Sequence, residues 1–187
     1  MSNLAWHFVR SVNGVPTLRD GRPVPPVGEW LEEPGDIVMC QRGLHASWRA
    51  FDALGYVSWE GAIACLVEVE DIAAEQKDKL VCRRRRVVAM VECDDVLRLF
   101  AREAALSVLH LWEGEVPAVV REYLETGNEE IGDAARAAAW DAARAAAWAA
   151  ARDAARAAAR DAARDAAISG LNATLESMLL AAMEYTP

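Results

Sequence analysis

Three histidines, a run of four arginines and four cysteines are the residues of this 187-residue chain best suited to chemistry. His45 lies in Gly43-Leu44-His45-Ala46-Ser47, at a turn expected to lead into a helix N-terminus. Such a place gathers backbone N–H groups and side chains around an anion. The run Arg83 to Arg86 alternates faces if it is a strand, so two guanidiniums point each way. His45, Ser47, Arg83 and Arg85 are therefore a candidate anion site. The alternative reading of the arginines is a charged strand edge protected against aggregation. His7 falls mid-strand beside Trp6, and His110, in an apolar helical stretch, reads as structural. A Ser-His-Asp or Cys-His arrangement is spatial and cannot be argued from spacing. Neither a Walker phosphate loop nor a GxGxxG turn is present. The residues themselves assign no catalytic group.

Cys40, Cys65, Cys82 and Cys93 form no CxxC pair, and the last three sit in strand-like runs. Structural zinc normally needs close ligand pairs, so no metal site is expected. Free, buried thiols in a reducing cytoplasm are the simplest account. The start, MSNLAWHFVR, lacks the basic and apolar regions of a signal peptide. No run of about 18 unbroken apolar residues suggests a membrane span. A cytoplasmic protein without a membrane partner is the expectation.

The elements that must position these residues read as an α+β body with a mainly antiparallel sheet followed by helices. Leu4 to Val12 is a first strand, and Asn13-Gly14 turns it back into Val15 to Leu18. Asp20 to Gly35, rich in Gly and Pro, reads as an ordered surface loop pinned by Trp30 and Leu31. Ile37 to Cys40 is expected to be a short strand, and Ser47 to cap a helix from Trp48 to Leu54. Strands follow at Ala62–Glu70 and within Lys79–Glu92. Asp94 or Asp95 opens a helix reaching about Trp112, and Pro117 and Gly127 bound another. The expected division is a globular body over 1–127, an alanine-rich helix over 128–168 and a short amphipathic helix over 169–187. In that last helix Leu171, Leu175, Met178, Leu179, Ala182 and Met183 form one stripe, which must pack on the body, the alanine helix or a second copy.

The alanine segment repeats Asp-Ala-Ala-Arg from Asp133 to Ala167, with Arg136, Arg144, Arg152 and Arg156 among its arginines. Alanine and arginine are the strongest helix formers, and Asp faces Arg three residues on. Steps of four residues carry each Arg about 40° past the previous one, so the polar rows wind round the helix. That excludes a heptad coiled coil. A spacer rod and a recognition arm both remain open, and in the second reading these four arginines with Trp140 and Trp148 bind the partner. The two tryptophans serve equally well to dock the helix or to join two copies in a homodimer. Six Arg against five Asp give the repeat a charge of +1, so the rest carries −10 of the net −9. An acidic body argues against a nucleic-acid partner.

The pattern Gly43-Leu44-His45-Ala46-Ser47, Asp52-Ala53-Leu54-Gly55-Tyr56, Val67-Glu68-Val69-Glu70 and Asp78-Lys79-Leu80-Val81 resembles a family of phage and prophage proteins. Several of those end in alanine, tryptophan and arginine repeats like this one, and the resemblance spans about residues 4 to 165. A fainter similarity runs to the small ADP-ribosyltransferases that inactivate rifamycins. It implies NAD as cofactor, His7 as the NAD-binding histidine, Asp78 as the acidic residue and His45 nearby. The His-Gly-Thr of those enzymes is His7-Phe8-Val9 here.

Together these features suggest a non-enzymatic phage-type interaction module, needing no cofactor, whose partner is a host or phage protein. Counter-defence of the anti-CRISPR kind is the sharpest form of that expectation. An ADP-ribosyltransferase-like enzyme and a virion structural component are the alternatives.

Overall fold

The computed structural model describes residues 3–57, 61–112, 114–139 and 157–185, with side-chain environments given outside 157–167. The architecture is α+β, with a mainly antiparallel sheet and helices after it. Strands are β1 (Leu4–Val12), β2 (Val15–Thr17), β3 (Trp30–Glu32), β4 (Leu44–Ala46), β5 (Ala62–Glu75) and β6 (Leu80–Glu92). Helix α1 (Ala50–Leu54) lies between β4 and β5, and α2 (Asp94–Ser107), α3 (Ala118–Thr126) and α4 (Ala157–Ala182) follow the sheet. Residues 132–139 are also helical.

The strand order is β2-β1-β5-β6-β3, and β4 also pairs with β6. The β5–β6 hairpin is the backbone of the sheet: Cys65 faces Met90, Val67 faces Val87 and Val69 faces Arg85. On the other edge of β6, β4 covers Leu80–Cys82 and β3 covers Arg84–Arg86, end to end. The chain beyond β4 then reaches round to β1. The Trp6 N–H donates to the Ser47 carbonyl at 2.7 Å, and the Ser47 N–H returns the bond at 2.9 Å. The sheet is thus curled until β4 meets β1. Inside lie Ala5, Val9, Leu44, Ala46, Ile63, Cys65, Val67, Val69, Leu80, Cys82 and Val87, all buried.

The opposite side of β1 and β5 is also buried, through Trp6, Phe8, Ala62, Ala64 and Leu66. A strand pair buried on both faces needs a second layer, and α1 contributes Ala50, Ala53 and Leu54 to it. The end of α4 completes it with Leu175 and Leu179, both fully buried. The Glu176 carboxylate accepts the Ala50 N–H and the Asn172 side chain accepts the Phe51 N–H, each at 3.0 Å. These are the first donors of α1, which an isolated helix leaves without partners. The C-terminal apolar stripe therefore packs on the body.

Two compact units result: Met1–Leu97 with Leu171–Pro187, and Arg98–Gly170. The sequence division placed its boundaries at 127 and 168 instead. The second unit holds the rest of α2, a 3-10 turn (Leu109–Leu111), α3 and the start of the alanine segment. Pro117 precedes α3, and Gly127 closes it in the left-handed conformation (φ 69°), its N–H bonded to the Tyr123 carbonyl at 2.8 Å.

Several local expectations change. No helix break occurs at Ser169-Gly170: α4 runs through both, because a helix-interior glycine costs only about 1 kcal/mol. Ser47 does not cap α1; its backbone is committed to Trp6, and the helix begins three residues later without a local side-chain cap. Asp94 does not cap α2 locally but accepts the N–H groups of Gly61 and Ala62 at 3.2 and 3.1 Å. Ile37–Cys40 is not a strand. Val38 and Arg42 close a tight turn with Cys40 at φ 63°. Among the described residues no helix is long and apolar enough to cross a membrane.

Candidate functional site

The four arginines of β6 do alternate. Arg84 and Arg86 face outward, where Arg84 pairs with Glu70 and Arg86 with Glu68 on β5. Both guanidiniums also lie over the Trp30 ring of β3, at 4.5 and 4.8 Å from its centroid. This ladder of cross-strand ion pairs and cation–π contacts holds the sheet edge together. It also turns the expected loop around Trp30 into a strand. Arg83 is spent on loop carbonyls, donating to Glu33 at 3.1 Å and Gly35 at 2.8 Å.

Arg85 points the other way and is only 5% exposed. Its guanidinium donates to the His45 carbonyl, and among the described residues no carboxylate forms an ion pair with it. A buried cation without a counter-ion costs several kcal/mol in lost hydration, of which one hydrogen bond to a carbonyl recovers only part. Burial pulls the Arg85 guanidinium below its ordinary value, yet an arginine keeps its charge in proteins.

His7 shares this environment. It stands opposite Cys65 in the β1–β5 register and is partly buried. Burial first, then the Arg85 and His45 charges, hold its imidazole well below 6.5, so it is neutral at pH 7. It makes no hydrogen bond among the described residues.

His45 is fully employed. Its Nε2 accepts the Cys40 N–H at 3.1 Å. Burial lowers its value, opposed by a backbone hydrogen bond at Gly43 and reinforced by Arg85, Lys79 and Arg19. The imidazole thus clamps the turn that precedes β4. Gly43 is essential to that turn. It sits at φ 130°, and a Cβ there would meet the Val81 and Ile37 methyl groups at 2.5 and 2.7 Å.

The candidate anion set is therefore not one site. Arg85 lies inside against the His45 carbonyl, Ser47 is buried in the β4–β1 bridge, and Arg83 is bonded to loop carbonyls. Asp78 is elsewhere: it accepts the Tyr56 hydroxyl, whose bond lowers the Asp78 carboxyl and raises the phenol. Lys79 covers the same ring at 5.2 Å. Arg85 thus bonds the His45 carbonyl and its charge acts on His7, while Asp78 sits with Tyr56 and Lys79. His110 lies exposed in the 3-10 turn rather than in an apolar helix. Of the cysteines, Cys65, Cys82 and Cys93 are buried and Cys40 is exposed, because the tight turn carries it outward. Among the described residues no group of His, Cys, Asp and Glu is placed to hold a metal ion. Arg136 pairs with Asp133 as the repeat spacing requires. Trp140, Trp148, Arg144, Arg152 and Arg156 lie outside the described residues.

Sequence reasoning missed the bond from Arg85 to the His45 carbonyl, because only the pairing of β4 beside β6 brings the two together. The available signal was weak: an arginine at an inward-facing position of an otherwise apolar strand.

The fold and this interior define a small α+β body in which, among the described residues, one arginine is buried without a carboxylate partner. Comparison adds a single family likeness: residues 18–99 match the model of a domain of unknown function (DUF7666). The matched stretch holds β3 to β6, with His45 and Arg85, and leaves β1, its His7 and the alanine-rich segment outside. No curated protein and no solved structure matches the chain.

Proposed function

We propose that the chain is a non-enzymatic interaction module of the phage or prophage type, whose body presents the alanine-rich segment to a host or phage protein. The observation that carries this reading is that the chain does not end with the alanine-rich segment but continues through α4 into a helix end fixed in the first unit. The chain leaves the first unit within α2 and re-enters it at Leu171, and the returning helix is fixed by Leu175, Leu179, Asn172 and Glu176. A dispensable extension needs no such return. A segment whose far end is fixed loses less freedom on binding than a free tail, which is how preorganisation raises affinity. The charge of −10 outside the repeat suits a partner with a basic surface and steers the encounter. Inhibition of a host defence complex, of the anti-CRISPR kind, fits these features.

The test compares partner capture from host extracts by the intact chain and by a variant with Trp140→Ala, Trp148→Ala and Arg144→Ala. Cutting the chain at Asp133 is unsuitable, since it strips Leu175 and Leu179 from the core. The expected result is a discrete partner that the substituted chain fails to retain. Equal capture by both makes the segment a spacer and overturns the reading. Calorimetry with NAD and a search for ADP-ribosylated host protein examine the enzymatic alternative, in which His7, His45 and Asp78 would act; heat of binding with labelling establishes it instead. Co-purification with assembled particles marks a virion component.

A further inference from the structure

Two aromatic rings of the first unit carry cations of the same chain. Trp30 lies under the guanidiniums of Arg84 and Arg86, and those cations pair in turn with Glu70 and Glu68. Tyr56 donates its hydroxyl to Asp78 and carries the Lys79 ammonium at 5.2 Å from its centroid. A third ring, Trp48, donates its indole Nε1–H to the Glu75 carboxylate at 3.2 Å. Here ring and carboxylate are in place without a cation. Among the described residues no Lys or Arg lies over Trp48 and none pairs with Glu75. Both residues face solvent: Glu75 is exposed at the end of β5, and Trp48 is 40% exposed, although tryptophan is highly buried on average. The hydrogen bond between them holds the indole in one orientation beside the charge.

From this geometry we infer that Trp48 and Glu75 receive the side chain of an arginine presented by a partner protein. A guanidinium stacks flat on an indole while its N–H fork donates to a carboxylate, the arrangement this chain makes for itself at Trp30. A lysine ammonium offers neither the plane nor the fork, so arginine is the better occupant. An exposed tryptophan fixed by a hydrogen bond is the residue type that most often dominates binding energy at an interface. The charge of the first unit suits the same partner: seventeen Asp and Glu against eleven Lys and Arg give it −6. That field draws in a basic surface and repels a second copy of this chain. The contact lies wholly within the first unit, so it stands or falls independently of what the alanine-rich segment binds.

The experiment titrates the full chain, labelled with ¹⁵N, with the peptide acetyl-Gly-Arg-Gly-amide at constant ionic strength. Peptides with lysine or uncharged citrulline in place of the arginine are the comparisons. The readout is the indole N–H resonance of Trp48, assigned by its disappearance in Trp48→Phe, against that of Trp30, whose ring is already occupied. The expected result is a saturable shift at Trp48 with the arginine peptide, a several-fold weaker response to lysine and none to citrulline, while Trp30 stays in place. Glu75→Gln keeps an acceptor oxygen for the indole and removes the charge, and it is expected to weaken binding about tenfold. Thermal melting checks that this variant folds, as an exposed position at a strand end should allow. No saturable shift at Trp48, an equal response to lysine or citrulline, or undiminished binding by folded Glu75→Gln overturns the proposal. The comparison of peptides on the wild-type chain decides even if the variant does not fold.

Discussion

The Asn172 side-chain oxygen accepts the backbone N–H of Phe51 at 3.0 Å, across 121 positions of sequence. With Glu176 on Ala50, it makes the last helix the N-terminal cap of the first. Asn172 is itself buried, so removing its amide takes this bond from the Phe51 N–H. Asn172→Ala is expected to lower stability by about 1–2 kcal/mol, the cost of a lost helix cap. Urea unfolding followed by circular dichroism measures it. A loss within experimental scatter would show that the cap contributes nothing.

His7 and His45 both hold values below the ordinary 6.5, His7 far below, with burial the leading cause for each. The native state therefore disfavours the proton that the unfolded chain accepts. Stability is full above pH 6.5 and falls as the pH drops below it, by at most about 1.4 kcal/mol per pH unit for each histidine. Unfolding midpoints measured between pH 7 and pH 5 are expected to decline, and His7→Gln to flatten part of that slope. An unchanged slope in His7→Gln would remove His7 from the account.

Burial pushes the thiols of Cys65 and Cys93 up to about 12 and that of Cys82 to about 11, whereas Cys40 is exposed. A thiol reacts as its thiolate and only where reagent can reach it. Ellman's reagent is expected to label one thiol of the native protein rapidly and the other three only on unfolding. Cys40→Ser removes the fast phase. Two or more fast thiols would contradict the buried placement.

Gly43 and Gly170 are expected to respond oppositely to alanine. At Gly43 the φ of 130° and the contacts with Val81 and Ile37 leave no room for a methyl group. Gly43→Ala should cost about 1–3 kcal/mol and disturb the clamp made by His45. Gly170 lies inside α4 with nothing within 4 Å of an added Cβ. Gly170→Ala should stabilise by about 0.5–1 kcal/mol. Thermal melting of the two variants gives the signs directly.

Much of the architecture was legible in local pattern. The alternation of Ile63, Val67 and Val69, the Asn13-Gly14 turn and the Pro117 and Gly127 boundaries each arise from interactions within a few residues. The outward pairing of Arg84 and Arg86, set against inward Arg85, follows from the two-residue period of a strand. The failures share one cause. Ser47, Asp94 and Trp30 each had a plausible local role and took a distant one, with Trp6, with Gly61 and Ala62, and with Arg84 and Arg86. A helix cap or an exposed loop residue yields readily when a cross-strand partner removes more surface from water.

Local pattern was enough for the antiparallel hairpin, for the helix of the alanine repeat over 133–139 and 157–167, for the acidic charge of the body and for the two-sided character of the arginine run. Propensity and periodicity are local properties and need no partner. Long-range packing was needed to bring the end of the last helix into the first unit, to make His45 a clamp, and to bury Arg85 against the His45 carbonyl with no carboxylate partner among the described residues. Those outcomes depend on which strands become neighbours. Curling the sheet until Ser47 meets Trp6 is a long-range event whose closure entropy is offset by burial along the whole β5–β6 hairpin.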